Sequence, residues 1–282
     1  MLDFIARTLY PVRTTNKRPT MHPMLNTAIR AAREAGEIIR RNIDRLDRVR
    51  VEAKGERDFV TNLDLEVEAN LIESLKQSYP KHQIVSEEAN PDYTYDADNQ
   101  HPTWIIDPID GSLNLSRGLP HFAISMAWQD KGSITVGLVY DPLREEIFAA
   151  AKGEGATLNN IKLRVKKPRP MHSCLIGTGF PVCDPDLLPK QLQEMSNLLP
   201  KVCDIRRAGS AALDLAYVAC GRLDGYWERG LKTWDIAAGS LIAQEAGAIC
   251  LDLKGGNDFL TTGSIISCHK TLMADLVRAT KP

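Results

Sequence analysis

The sequence has 282 residues, a formal net charge of -1 and a hydrophobic fraction of 43%. This length allows one large domain or two modest ones, and the apolar fraction is ordinary for a globular protein. The near-neutral balance argues against a strongly basic nucleic-acid-binding domain, although it leaves room for a local basic patch. No run of eighteen uninterrupted apolar residues occurs. We therefore predict no transmembrane helix and no membrane partner.

The first residues form a basic segment that contains a single acid, Asp3. An arginine-rich, acid-poor start is typical of an organelle transit peptide, but it also fits a tail that precedes an alternative start at Met21. Pro11 and Pro19 would interrupt a helix here, and a globular pattern begins directly after Met21. We predict that residues 1–21 are a disordered N-terminal extension.

Two amphipathic helices are predicted next. From Met24 to Arg41 the apolar residues recur at helical spacing, with charged residues on the other face. The segment from Asp58 to Pro80 repeats this pattern, and Pro80 marks its end. Asp64 would lie near the first turn of the second helix.

Strands dominate the following region. A short strand from Gln83 to Ser86 ends in two acids, and a polar loop leads to a second strand from Trp104 to Asp107. Three further strand-like runs, separated by turn sequences, predict a meander of antiparallel strands. We therefore predict that residues 22–165 form an α+β half. This half contains most of the acidic residues that are considered below as metal ligands.

Shorter strands and helices alternate after the basic, proline-rich stretch at residues 166–170. Such alternation is typical of an α/β unit. We predict that residues 166–282 form an α/β half that completes the site, so that the two halves make one compact catalytic unit. The stretch between them is too short to indicate two independently folding domains.

The six cysteines form no CxxC pair and no Cys/His cluster. A zinc site is therefore not expected. Because we find no secretion signal, we expect the thiols to be reduced and the protein to be cytoplasmic.

The stretch TWIIDPIDGSLNL places two aspartates directly after apolar, strand-forming residues. Pro108 forces Asp107 out of the helical region, and Gly111 lets the backbone turn, so Asp107 and Asp110 can be aimed at one point. A helix that begins at Gly111 would direct free N–H groups there and favour an anion. Carboxylates next to an anion need a cation between them, which predicts a phosphate held through a metal ion.

A capping role explains Asp107 and Asp110 equally well when the pair is considered alone. The balance shifts because four further acids lie at predicted element ends: Asp64, Glu87, Glu88 and Asp235. Carboxylate oxygens are the ligands that Mg²⁺ prefers. We therefore predict a magnesium site.

Four motifs in this order resemble the inositol monophosphatase family of magnesium-dependent, lithium-sensitive phosphatases. They are WIIDPIDGSLN at Trp104–Asn114, DFVTNLD at Asp58–Asp64, SEE at Ser86–Glu88 and WDIAAG at Trp234–Gly239. The resemblance covers residues 22 to about 275, and two segments look especially like the bacterial SuhB-type members. It implies a layered αβαβα sandwich that mixes α+β and α/β parts, and a homodimer.

The resemblance also implies a role for individual residues. A first Mg²⁺ would be held by Glu87, Asp107 and the carbonyl of Ile109, a second by Asp107, Asp110 and Asp235, and a third, weaker ion by Glu87. Asp64 and the Ser112 hydroxyl would orient the attacking water. The implied substrate contacts are the backbone N–H groups of Gly111 and Ser112 at the phosphate, and Gly209, Ala211, Glu228 and Asp235 at the sugar.

The implied activity is hydrolysis of myo-inositol 1-phosphate or a related small sugar phosphate. Enzyme rivals within the family are fructose-1,6-bisphosphatase, 3'-phosphoadenosine 5'-phosphate phosphatase and histidinol phosphatase. Asn114 and Glu228 resemble the inositol branch. A different class of function also follows from the resemblance, because SuhB-type members are associated with ribosomal RNA antitermination, through contacts with the transcription elongation machinery and RNA.

One departure from the family pattern concerns Ser112 and Leu113, where members commonly have two threonines. Serine keeps the hydroxyl, so we expect the reaction type to be retained, while Leu113 replaces a polar side chain with an apolar one. Other polar residues receive structural interpretations: Glu88 as a support for Glu87, His121 as a histidine beside a strand, and Arg206 and Arg207 as partners in ion pairs.

Overall fold

The computed structural model describes residues 22–43, 45, 51–55 and 58–281, with residues 51–55 and 58–60 described by their backbone alone. The predicted N-terminal extension at residues 1–21 lies outside the described residues. Within the described chain, none of the helices combines the length and the apolar character that crossing a membrane requires.

Eight α-helices occur in the described residues. They are α1 (Pro23–Asn42), α2 (Asn62–Ser78), α3 (Ser112–Ser116), α4 (Leu188–Leu198), α5 (Ala211–Cys220), α6 (Thr233–Glu245), α7 (Phe259–Thr262) and α8 (Lys270–Ala279). The strands are β1 (Val51–Gly55), β2 (Asp58–Thr61), β3 (Gln83–Ser86), β4 (Thr103–Asp110), β5 (Ala123–Asp130), β6 (Ser133–Asp141), β7 (Glu146–Ala151), β8 (Gly155–Leu158), β9 (Ile161–Lys162), β10 (Leu175–Thr178), β11 (Asp204–Arg206), β12 (Gly225–Glu228), β13 (Ala248–Leu251) and β14 (Ile265–His269).

The larger sheet has seven strands in the order β3-β4-β5-β6-β7-β8-β9. β3 and β4 are parallel, and the strands from β4 to β9 form the predicted antiparallel meander. The meander is longer than the three predicted runs, because β8 and β9 continue it. These two strands are short and partly exposed, so they carry too little apolar pattern to be recognised in the sequence.

The smaller sheet has five strands in the order β11-β10-β12-β14-β13. β10 is parallel to β11 and β12, whereas β14 is antiparallel to both β12 and β13. The alternation of strands and helices therefore produces parallel pairing on one side of this sheet. After α6, two strands and two helices continue the alternation in the order β13, α7, β14 and α8.

Helices and sheets stack in five layers. α1 and α2 cover one face of the seven-stranded sheet, and α5 and α6 lie between the two sheets. α4 and α8 cover the outer face of the five-stranded sheet. β4 is apolar on both sides because Trp104 and Ile106 face α1 and α2 while Ile105 faces α5 and α6. This is the predicted αβαβα sandwich, with both α+β and α/β character.

One helix boundary differs from the prediction. Asp58–Thr61 is a strand that pairs antiparallel with β1, and α2 begins at Asn62. The Thr61 N–H donates to Asp64 Oδ2 at 2.9 Å, and Thr61 Oγ1 accepts the N–H of Asp64 at 3.3 Å. This reciprocal cap satisfies free N–H groups at the helix start, so the helix begins after Thr61.

Candidate active site

The end of β4 carries Asp107 and Asp110. Residues three apart on a regular strand face opposite sides of the sheet, but the pairing with β5 shifts register between these two aspartates. Asp110 lies close enough to raise the pKa of Asp107. The irregular stretch around Pro108 therefore brings both carboxylates to the same region. Asp107 is buried, and its Oδ1 accepts the N–H of Ile109 at 3.0 Å.

Gly111 makes the turn from β4 into α3. Its φ of 103° is one that residues with a side chain rarely adopt. A Cβ at this position would lie 3.0 Å from the carbonyl oxygen of His121 and 3.1 Å from that of Gly209. The predicted phosphate-binding turn and the predicted sugar-binding loop at Gly209 therefore lie side by side.

Asp64 and Ser112 meet although they are far apart in the chain. The Ser112 hydroxyl donates to Asp64 Oδ1 and lies 2.8 Å from the carbonyl oxygen of Ile109. Burial raises the pKa of Asp64, and the hydrogen bonds from Ser112 and Thr61 partly offset that rise. The predicted water-orienting pair thus adjoins a predicted ligand carbonyl.

Glu87 follows β3, and its N–H donates to the Ile106 carbonyl of β4 at 3.1 Å. The turn that carries it is fixed by Glu68 of α2, whose Oε2 accepts the Ser86 hydroxyl at 2.6 Å and the Glu88 N–H at 3.0 Å. Glu68 is buried and was not among the site residues predicted from the sequence. Its place four residues after Asp64, on the same helix face, was the available signal.

Asp235 and Asp110 are tied to the starts of two helices. Asp235 lies in the first turn of α6, where its Oδ2 accepts the Lys232 N–H at 2.7 Å. Asp110 Oδ2 accepts the Ser210 hydroxyl at 2.6 Å and the Ala212 N–H at 2.7 Å, at the start of α5. These bonds connect the end of β4 to the layer between the two sheets. Ser210 also escaped the sequence analysis.

The acids influence one another strongly. Burial raises the pKa of Asp107 well above its usual value, and four neighbouring carboxylates raise it further: Glu87, Asp110, Asp235 and Asp64. Burial also raises the pKa of Asp235, with contributions from Asp110 and Glu87. For Asp110, burial outweighs the hydrogen bonds it accepts and raises the pKa to about 6. Protonation or a bound cation would relieve this repulsion.

The donor set fits a hard divalent cation. Every candidate ligand supplies oxygen, from carboxylates and from the carbonyl of Ile109, as Mg²⁺ prefers. Asp107 and Asp235 each use one carboxylate oxygen in a backbone hydrogen bond, which leaves the other for a ligand role. Within the described ranges, no three histidine, cysteine, aspartate or glutamate side chains are already grouped as a metal site. The assignment of individual ligands stays a prediction.

A second group of residues lies at the end of β12. The Tyr226 hydroxyl donates to Glu228 Oε2, and a Cβ at Gly179 would collide with the Glu228 carboxylate. Burial raises the pKa of Glu228 to about 7, with Asp110 acting in the same direction. Asp214 is a further buried carboxylate whose pKa rises through burial and through its neighbours Glu228 and Asp110. Asp214 was not among the site residues predicted from the sequence.

The loop at Gly209 is held against α3. Asn114 Nδ2 donates to the carbonyl oxygens of His121 and Ala208, at 2.7 and 2.8 Å. Ala211, the first residue of α5, is buried beside this loop. The predicted sugar contacts Gly209 and Ala211 are thereby placed next to the Asp110 carboxylate, which accepts the N–H of Ala212.

His121, Arg206 and Leu113 were not assigned to catalysis or metal binding, and their surroundings differ. His121 Nε2 lies 4.0 Å from Asp214 Oδ1, and burial lowers the histidine pKa. Arg206 forms an ion pair with Asp204. Leu113 is 44% exposed, so the departure from the family pattern changes the surface near the site.

Comparison with known proteins agrees with this architecture. Residues 20–281 match the inositol monophosphatase family. The chain belongs to the inositol monophosphatase family. A curated relative, "Nus factor SuhB" of Haemophilus influenzae, is 47% identical over 262 residues, which cover 93% of this chain and 97% of the relative. The family and the fold are those of a phosphatase.

Two solved structures extend the comparison. The crystal structure of extragenic suppressor protein suhB from Bartonella henselae has a TM-score of 0.85 and 36% identity, and it covers 92% of this chain and 99% of that chain. The structure of SaIMPase-II with bound inositol monophosphate has a TM-score of 0.74 and 26% identity, covering 91% and 93%. This chain is thus similar to a SuhB protein and to an inositol monophosphatase.

Proposed function

We propose that this protein is a Mg²⁺-dependent, Li⁺-sensitive phosphomonoesterase that hydrolyses myo-inositol 1-phosphate or a related small sugar phosphate with an activated water. The observation that carries the proposal is that the buried Asp107 lies near three partly buried carboxylates, next to the Asp64–Ser112 pair. These three are Asp110 of β4, Asp235 of α6 and Glu87 at the end of β3. Burial raises the pKa values of Asp107, Asp110 and Asp235, and neighbouring carboxylates add to the rise for Asp107 and Asp235, so these groups favour a nearby positive charge.

The ligand roles follow the family pattern. Glu87, Asp107 and the Ile109 carbonyl would hold a first ion and Asp110 and Asp235, with Asp107, a second. A third ion at Glu87 would make two to three Mg²⁺ per site. Bound Mg²⁺ would polarise the phosphoryl group and lower the pKa of a water molecule, which supplies a nucleophile at neutral pH.

The chain's own groups orient the reactants. Asp64 can accept a proton or a hydrogen bond from the attacking water, and the Ser112 hydroxyl, bonded to Asp64, fixes the carboxylate for that role. The backbone N–H groups of Gly111 and Ser112 lie where the chain turns into α3 and are assigned to the phosphate. No covalent enzyme intermediate is required.

Glu228 is assigned to a substrate hydroxyl. A carboxylate that accepts the Tyr226 hydroxyl on one oxygen keeps acceptor capacity for a second donor. Gly209, Ala211 and Asp235 complete the proposed sugar side of the site. The inositol monophosphate bound to SaIMPase-II supports this substrate class.

The test is phosphate release from myo-inositol 1-phosphate, fructose 1,6-bisphosphate, 3'-phosphoadenosine 5'-phosphate and histidinol phosphate, with and without Mg²⁺ and Li⁺. We expect Mg²⁺-dependent turnover that is fastest for the inositol ester and that Li⁺ inhibits. Preference for another ester would keep the mechanism and replace the substrate. Absence of turnover in folded, Mg²⁺-binding protein would refute the enzymatic proposal.

A second candidate function is a transcription antitermination and ribosomal RNA processing factor that acts by protein and RNA contacts. The high identity to a protein named Nus factor SuhB favours it. Capture of RNA polymerase and its elongation factors by the Asp110→Asn variant, as efficiently as by the unmodified chain, would support a role separate from catalysis. Loss of capture only in that variant would tie the role to the metal site. A cytoplasmic homodimer is proposed for either function.

A further inference from the structure

Successive side chains at the end of β12 face opposite sides of the five-stranded sheet. Tyr226 packs among residues of α5 and α6, and its hydroxyl reaches Glu228 on that side. Trp227 packs with the α4 and α8 layer, and Arg229 also points to α4. The two residues that flank Glu228 in the sequence, Trp227 and Arg229, therefore both contact α4, on the side of the sheet opposite the Glu228 side chain.

The first attachment is an ion pair. Arg229 Nε donates to Glu194 Oε1 at 2.8 Å. The Glu194 side chain is fully buried, and the Arg229 side chain is only 17% exposed. A buried pair of this kind is strongly sensitive to removal of one partner, because an uncompensated charge then remains in the interior. The pair therefore holds the chain immediately after Glu228 in one place.

The second attachment is a relay of hydrogen bonds. Gln191 Nε2 donates to Thr178 Oγ1 at 2.8 Å, and the Thr178 hydroxyl donates to the Trp227 carbonyl oxygen at 2.8 Å. Gln191 and Thr178 are both buried. Gln191 and Glu194 lie one turn apart on α4 and face the same way, so a single helix fixes the backbone on both sides of Glu228.

We propose that Glu194 and Gln191 are positioning residues that set the direction of the Glu228 carboxylate and thereby favour phosphate esters of polyols. The close approach of Glu228 to Gly179 leaves the carboxylate little room for another orientation, so a small shift of β12 would misalign it. This inference rests on the proposed phosphatase function. It adds a substrate-selecting element in a helix that contributes no ligand and no catalytic residue to the site.

The test compares two esters that differ in their hydroxyl groups. The kcat and KM values of Glu194→Gln, Thr178→Val and an exposed control on α4, Gln193→Ala, are measured with myo-inositol 1-phosphate and with 4-nitrophenyl phosphate, which carries no sugar hydroxyl. Thr178→Val removes the relay at nearly constant volume without leaving a buried charge. Thermal melting establishes that each variant is folded, and Thr178→Val decides the question if Glu194→Gln does not fold.

We expect KM for the inositol ester to rise about tenfold, the effect of weakening one hydrogen bond to a charged group. KM for 4-nitrophenyl phosphate and kcat for both esters should change less than about twofold, and Gln193→Ala should change nothing. Equal changes for the two esters, or no change for either, would overturn the inference. If the unmodified protein hydrolyses neither ester, the proposed function itself fails, and the inference fails with it.

Discussion

Two charged regions lie on opposite sides of β12, and their charges are handled in opposite ways. On the site side, burial raises the pKa values of Asp107, Asp110 and Asp235, and neighbouring carboxylates add to the rise for Asp107 and Asp235. On the α4 side, the buried charge of Glu194 is matched by Arg229 at hydrogen-bond distance. The first region favours a cation from outside, whereas the charge of Glu194 in the second is balanced within the chain. The proposed reactive groups and the ion pair that fixes the backbone thus lie on different sides of β12.

The largest effect is expected from Asp110→Asn, which removes one of the charges proposed to bind the cation, at nearly constant volume. We expect kcat/KM for the inositol ester to fall on the order of a thousandfold, the scale seen when a group that stabilises developing charge is lost. Steady-state kinetics at saturating Mg²⁺ gives the measurement, with the exposed Asp275→Asn as control. Near-normal turnover by Asp110→Asn would contradict the metal site.

Asp64→Asn tests the activation of the attacking water separately from the binding of Mg²⁺ and phosphate. We expect kcat to fall at least a hundredfold, within the range for loss of a general base. Inorganic phosphate should still bind in the presence of Mg²⁺, because the variant keeps the predicted ligands and the Gly111 turn. Calorimetric titration with phosphate tests this. Loss of phosphate binding would instead show that Asp64 acts as a metal ligand.

The pH dependence of stability sharpens the comparison. The pKa of Asp110 is about 6 in the folded chain and about 4 when unfolded, so the folded state binds more protons between these values. Without metal, and relative to low pH where this carboxyl is protonated in both states, its ionisation destabilises the folded chain increasingly between about pH 4 and about pH 6 and by a constant amount above that range.

Mg²⁺ should remove this destabilisation at high pH. After allowance for the partial exposure of Asp110, we expect Mg²⁺ to raise Tm by about 5 °C at pH 8 and by much less at pH 5. Thermal melts at both pH values, with and without Mg²⁺, provide the test. An equal shift at the two pH values would mean that the carboxylates are not the groups that Mg²⁺ neutralises.

Leu113→Thr should have the smallest effect. The Leu113 side chain is largely exposed, and a surface substitution of this kind changes stability by less than about 0.5 kcal/mol. We expect kcat/KM for the inositol ester to change less than about threefold, since no carboxylate is disturbed. A large gain in activity would show that the departure from the family pattern limits catalysis.

Local sequence patterns predicted the parts of the structure that local physics determines. The apolar run before Asp107, the helical spacing of α1 and the element alternation after residue 170 all correspond to observed elements. The hairpin of β1 and β2 was missed because its pairing depends on a partner strand. The helical pattern from residue 62 onward also hid the change from strand to helix at Thr61.

The supporting residues of the site were harder to predict. Glu68, Ser210 and Glu194 act through partners that are distant in the chain. Each looks like an ordinary polar residue of a helix or a helix cap when only its neighbours are considered. The metal-ligand roles were implied by family resemblance, and the structure adds where these residues lie. These residues were not predicted because their hydrogen bonds join parts of the chain that are distant in sequence, and the spacing of residues within one segment does not encode such bonds.

The wide separation of Asp64 and Asp235 in the chain has a consequence for protein synthesis. The proposed site needs β4 together with the start of α6, and a ribosome that adds about 5–20 residues per second needs on the order of ten seconds to make the intervening chain. The incomplete nascent chain therefore presents Asp107 and Asp110 without Asp235 and without the α5 start that binds Asp110. The proposed phosphatase activity would thus appear only after the start of α6 has been made, and products terminated before that point would be inactive.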